Sequence, residues 1–207
     1  MPRKYAISLV VAVGLLTIAC AKRATVQVPP RVDLHALGTI GIVEFQSGAK
    51  GNLPAFATQR FIEALQESQP GVRVLELGHV DDLSKDNGSV DHATVKAIGE
   101  KYEIDALIVG DLLVKEVRPN VDVVSMIKTM SVSADVDAAL TARLLETGRG
   151  ATLWTRGSRC TRTVAHVGMG GGKVVFDARD PEGAYGELVD ALIGQITDDF
   201  RVSYVKQ

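Results

Sequence analysis

With only two cysteines in 207 residues, the chain has no material for a disulfide framework. One of them, Cys20, closes the only long apolar run. Cys160 then has no partner within the chain, and the fold must stand on its apolar core even in an oxidising compartment. An excess of basic charge is missing too. Lys and Arg number 23 against 25 Asp and Glu, a formal net charge of -2. Taking away residues 1–19 removes Arg3 and Lys4 and no acidic residue, so the charge moves from -2 to -4. A mildly acidic domain lacks the electrostatic footprint of a nucleic-acid binder, and no nucleic acid is expected as a partner. After residue 19 no segment approaches the ~20 apolar residues with which a helix crosses a bilayer, and no repeat of solenoid length appears.

The signatures of common chemistries are also missing. The Gly-rich stretch HVGMGGGKVVF suggests a phosphate cradle, but Val167 and Val174 stand where a Walker loop requires Gly and Ser or Thr. A calcium loop centred on Gly88 would put Leu83 at the first ligand place and Thr94 at the twelfth, where a bidentate Glu belongs. His35, His79, His92 and His166 are scattered, without the spacing of a zinc site. There is no Gly-x-Ser-x-Gly elbow and no carboxylate pair marked out for acid–base work. No catalytic residue, metal or cofactor is expected, and Cys160 reads as a buried or half-buried strand residue.

What is present begins at the amino terminus. Arg3 and Lys4 precede the apolar residues 5–18 and the small residue Ala19, the tripartite layout of an export signal. Leu16-Thr17-Ile18-Ala19-Cys20 resembles the lipobox of bacterial lipoproteins. That resemblance implies cleavage after Ala19, diacylglycerol on the Cys20 sulfur and acylation of the new terminus. Each buried methylene is worth ~0.8 kcal/mol, so such a terminus would stay in the membrane. Ala21 implies, by the same family rule, an outer-membrane destination facing the periplasm. A secreted protein whose signal ends in Cys, or a short uncleaved anchor, is the alternative. Residues 20–37, with Pro29 and Pro30 and no sustained period, read as a lipid anchor and tether. Residues 38–207 read as one domain, long enough to bury a core.

Along that domain, a β-branched run over 38–45 predicts a buried strand. Leu53, Ala57, Phe61, Ala64 and Leu65 then predict a helix that Pro70-Gly71 ends. A strand over 72–77, a helix from Asp91 carrying Val95, Ile98 and Tyr102, and a strand from Ala106 towards Val117 follow. This alternation favours helices packed on a sheet with some parallel pairing. The clearest pattern is Val132, Ala134, Val136, Ala138, Leu140, Ala142 and Leu144 interleaved with polar residues: a long strand with one covered face. A turn at 146–150 returns it as an antiparallel neighbour over 151–164. Tyr185, Leu188, Val189, Leu192, Ile193 and Ile196 predict a last helix from Pro181, before a short strand or tail. The fold class expected is α/β, one compact domain with a mixed sheet flanked by helices and a long antiparallel hairpin.

The stretches GTIGIVEF, ATQRFIEALQES, EKYEIDALIVGDLLVKEV and ADVDAALTARLLETGRGATLWT together resemble the periplasmic domain of the CsgG-like lipoproteins, which include the curli secretion channel. More distantly they resemble LpoB-type penicillin-binding-protein activators and the TolB amino-terminal domain. The resemblance spans residues 38–162. It implies a non-catalytic protein working through contacts with other envelope proteins or with copies of itself in a ring. Channel-forming members insert hairpins into the membrane, each strand needing ~9–11 alternating residues. The candidate insertions, 118–131 and 165–177, alternate poorly or are Gly-rich. A ring-forming channel, and a hydrolase or nucleotide binder, are the other function classes. Arg156 and Arg162, with Arg149 and Arg159 nearby, form a candidate partner contact, although strand parity sets Arg159 on the opposite face.

Overall fold

The structure, a computed structural model, describes residues 25–83, 90–120, 133–165, 167–170 and 173–206. The export signal with Ala19, the lipidation candidate Cys20, residues 84–89 with Gly88, residues 121–131 of the first candidate insertion together with Val132, His166, and Gly171 and Gly172 lie outside the described residues. Described strands and helices are, in chain order, β1 (Thr25–Val28), β2 (Thr39–Ile42), β3 (Gln46–Ser47), β4 (Lys50–Gly51), α1 (Leu53–Ser68), β5 (Arg73–Glu76), α2 (His92–Tyr102), β6 (Ala106–Asn120), β7 (Ser133–Glu146), β8 (Thr152–Val164), β9 (Val167–Gly170), β10 (Lys173–Phe176), α3 (Pro181–Thr197) and β11 (Ser203–Lys206). None of the described helices is long and apolar enough to cross a membrane.

Residues 30–201 form one α/β body. Its main sheet has six strands in the order β5-β2-β6-β7-β8, with β3 also on β6. The β5-β2-β6 part is parallel, and β6-β7-β8 is a long antiparallel meander. The expected α/β class, mixed sheet and long hairpin are therefore all present. The connection through α1 leads from β2 to one side, and that through α2 leads back across to the other. Two crossovers of the same hand must then place their helices on opposite faces. The cores agree. Ile40, Ile42, Ile108, Leu140 and Leu144 pack against α1 and α3, whereas Val43, Leu107, Val109 and Leu145 pack against α2. In β7 the alternation predicted from sequence is the burial pattern itself: Ala134, Val136, Ala138, Leu140, Ala142 and Leu144 are all buried.

Local chemistry sets the helix boundaries. Asp91 caps α2, its carboxylate accepting a hydrogen bond from the Thr94 N–H at 2.8 Å. Asp180 caps α3 through the Gly183 N–H, and Pro181 follows where its missing N–H costs nothing. The stripe of α3 is buried throughout, from Tyr185 to Phe200 in the turn beyond. Tyr185 kinks the helix (φ -145°), its hydroxyl bonded to Asn52 and its ring edge-on to Phe56 and Phe176.

Two findings depart from the domain plan read in the sequence. Residues 30–37, taken as tether, belong to the body: Leu34 is fully buried and its N–H donates to Gln69 Oε1 at 2.8 Å. Gln69 Nε2 donates in turn to the carbonyls of Val32 (2.7 Å) and Phe200 (3.0 Å). The N–H groups of Arg31 and Val32 donate to the Asp199 carbonyl. One buried amide at the end of α1 thus holds the first and last segments of the body side by side. The second departure concerns residues 25–28, which pair as β1 with β11 in a separate two-stranded antiparallel ribbon.

The second candidate insertion, 165–177, contains the hairpin β9–β10, which joins β4 in a three-stranded sheet. Its strands have four residues each, against the ~9–11 of a membrane-crossing strand. Phe176 is fully buried in the main core.

Candidate functional site

On β8 the side chains alternate between the two faces of the sheet. Trp154, Arg156, Ser158, Cys160, Arg162 and Val164 lie on the α3 side, and Thr155, Gly157, Arg159, Thr161 and Thr163 on the other. Arg156 has an internal partner: its Nη1 lies 2.7 Å from Asp199 Oδ1. The same buried carboxylate accepts hydrogen bonds from Trp154 Nε1 (3.1 Å) and Arg31 Nη1 (3.2 Å). Burial by itself would raise the Asp199 carboxyl, but the bonds from Trp154, Arg156 and Arg31 outweigh it and hold the group below the usual carboxylate range. Arg156 therefore contributes first to a knot tying β8 to the turn after α3. Asp199, 43 residues away in sequence, was not singled out by the sequence reading, since nothing local marks it.

Arg162 is exposed, and its Nη1 donates only to the neighbouring Thr161 carbonyl (2.9 Å). Arg159 is exposed without a side-chain partner among the described residues, and Arg149 lies exposed in the β7–β8 turn. The fold does not gather these cations into one patch. It distributes Arg159 and Arg162 along one strand, and that strand is the sheet's edge. Every pairing of β8 is with β7, and its other side has no strand among the described residues.

Cys160 sits half-buried on β8, its thiol 3.5 Å from the Leu188 carbonyl. Burial pushes the thiol up from its ordinary value, the opposite of what a nucleophilic cysteine needs. Where the sequence suggested a phosphate loop, β9 and β10 pair as a hairpin. His35, His79 and His92 occupy separate places, and among the described residues no three His, Cys, Asp or Glu side chains converge as a metal site.

A cleft of about 640 Å³ opens beyond the carboxyl ends of β2 and β5, lined by Glu44, His79, Asp81, Asp111 and residues 46–49. His79 Nδ1 lies 3.4 Å from Glu44 Oε1. Three carboxylates and one imidazole favour cations over phosphate. Sequence reasoning missed this cleft, because its walls come from two separate connections and from the middle of β6.

No family model and no curated protein matches the chain. Among solved structures it is similar to a PelC dodecamer from Paraburkholderia phytofirmans, at 12% identity over 86% of this chain and 96% of that one, with a TM-score of 0.47. Similarity also extends to lipoprotein GNA1162 from Neisseria meningitidis, at 18% identity over 61% of this chain and 83% of that one, TM-score 0.36. The LpoB C-terminal domain from Salmonella enterica is similar at 13% identity over 61% of this chain and 84% of that one, TM-score 0.38. These values assign the chain to no family.

Proposed function

We propose that this is a lipid-anchored protein of the bacterial envelope, held to the outer membrane through acylated Cys20 and facing the periplasm. Its role is non-catalytic, carried out through contacts with other envelope proteins in assembly or secretion. The observation that carries the reading is the export signal ending at Leu16-Thr17-Ile18-Ala19-Cys20. Two further features support it. The stretches over 38–162 resemble the CsgG-like lipoproteins, and the body presents a long strand edge suited to protein contact.

The test is metabolic labelling of the full chain with radioactive palmitate in a Gram-negative host, followed by washing of the membranes. The wild-type product takes up label and stays with the outer membrane through salt and carbonate washes, and Cys20→Ala does neither. A wild-type product that remains unlabelled and is released by plain buffer overturns the anchoring.

A further inference from the structure

An open strand edge is a row of unsatisfied backbone donors and acceptors, ready to pair with any extended chain that reaches it. On β8 that row is long. Thirteen residues at ~3.3 Å each span roughly 40 Å. The edge lacks several devices that blunt such rows, since it contains no proline and no lysine. Its only irregularity of register falls at the start, opposite Leu144 and Leu145. Thr152, Thr155, Thr161 and Thr163 are exposed along it, and β-branched residues favour pairing.

Its charge selects what can pair there. The three charged residues of β8 are all arginines, and the strand itself carries no carboxylate; Asp135 and Asp137 lie one strand inward, opposite Thr163 and Thr161 on β7. Two copies pairing edge to edge would set arginine against arginine, so a second copy of this chain is a poor occupant. Arg156 is neutralised by Asp199, which leaves Arg159 and Arg162 for an incoming chain. They stand three residues apart on opposite faces, as would two carboxylates three residues apart on an adjacent strand.

We propose that the edge of β8 left open among the described residues receives an extended acidic segment of another protein as an additional strand, the backbone ladder holding it and Arg159 and Arg162 each meeting a carboxylate. The proposal names the partner chemistry for the protein-contact reading above and rests on it, but it does not depend on the lipid. Rim charges of this kind set partner choice and encounter rate more than affinity. The backbone ladder and the two charges are therefore tested separately.

The probe is a synthetic twelve-residue peptide of Thr and Val with two Glu three residues apart, titrated into the purified protein both acylated in detergent and as Cys20→Ala. Amide hydrogen exchange and fluorescence anisotropy are the readouts. We expect exchange within β8 to slow at least tenfold at saturation, with β6 unchanged. We expect association to slow and lose its salt dependence, with binding weakened roughly three- to tenfold, with Gln in place of both Glu, with Arg159→Glu/Arg162→Glu, and with the milder Arg159→Gln/Arg162→Gln should the reversal disturb the fold. A peptide N-methylated at every residue should not bind. Several results overturn the proposal. They are no protection of β8, equal binding of the N-methylated peptide, indifference to both double variants, protection of β8 by rising protein concentration alone, or protection by phosphatidylglycerol vesicles and not by peptide. Because Cys20→Ala is measured alongside, failure of the anchor and failure of the edge give different outcomes.

Discussion

Replacing Asp199 by Asn changes almost no volume but removes the one charge on which Arg156, Arg31 and Trp154 converge. The Arg156 contact, at 2.7 Å to a side chain only 10% exposed, dominates the loss. A charge-assisted hydrogen bond contributes ~1.5–3 kcal/mol. The Arg31 pair adds little, because its guanidinium is 79% exposed and exposed pairs are worth ~0–1 kcal/mol. Asn still offers an oxygen to Trp154. We expect a net loss of about 2–3 kcal/mol, or roughly 5–10 °C in Tm for a body of this size, read by urea and thermal unfolding with circular dichroism. The pH dependence follows from the depressed Asp199 value. The group's contribution is complete above the ordinary carboxylate pKa of ~3.9 and is lost as pH falls through the lower folded value. The gap between wild type and Asp199→Asn should therefore be constant from pH 7 to 5 and close below about pH 4. Arg156→Met should cost much less in the Asp199→Asn background than alone. A gap that persists undiminished into acid, or a variant within ~0.5 kcal/mol of wild type, would refute the assignment of Asp199 as the charged centre of this knot.

Gln69→Ala should cost about 2–4 kcal/mol, since it orphans the buried Leu34 N–H together with the Val32 and Phe200 carbonyls. In hydrogen exchange the Leu34 amide should lose protection more than those of β7, and equal losses everywhere would show that the clamp is not local. Cys160 should react with a maleimide at pH 7.5 at least tenfold more slowly in the native protein than in urea, because burial holds its thiol protonated and half-covered. A native rate equal to the unfolded one would place the thiol at the surface.

What could be read from the sequence was what local pattern decides. The buried face of β7 shows as a period of two because a single layer of helices covers it, and the stripe of α3 shows as a helical period for the same reason. The Asp91 cap announces itself by position. The body's true start at residue 30 could not be read, because the Leu34 N–H bonds a partner 35 residues on and Val32, Leu34, Ala36 and Leu37 make too short a run after Pro29-Pro30 to mark an element. Arg156 looked like surface charge because its carboxylate lies beyond a helix that the sequence shows only as a stripe. The sheet β4-β10-β9 was invisible for another reason: β4 has two residues, too few for any alternation. Parity correctly separated Arg159 from Arg162. That β8 is an edge is a property of strand order, which pairing alone determines.

The amide of Gln69 has a mechanical consequence. Tension entering the body at residue 30 meets, within four residues, bonds to the turn at 198–200 and to Gln69, which holds the same turn. Along the chain these bonds come before any strand of the main sheet. A pull on the amino-terminal side of the body is thereby shared with the turn that ends it before it reaches the sheet.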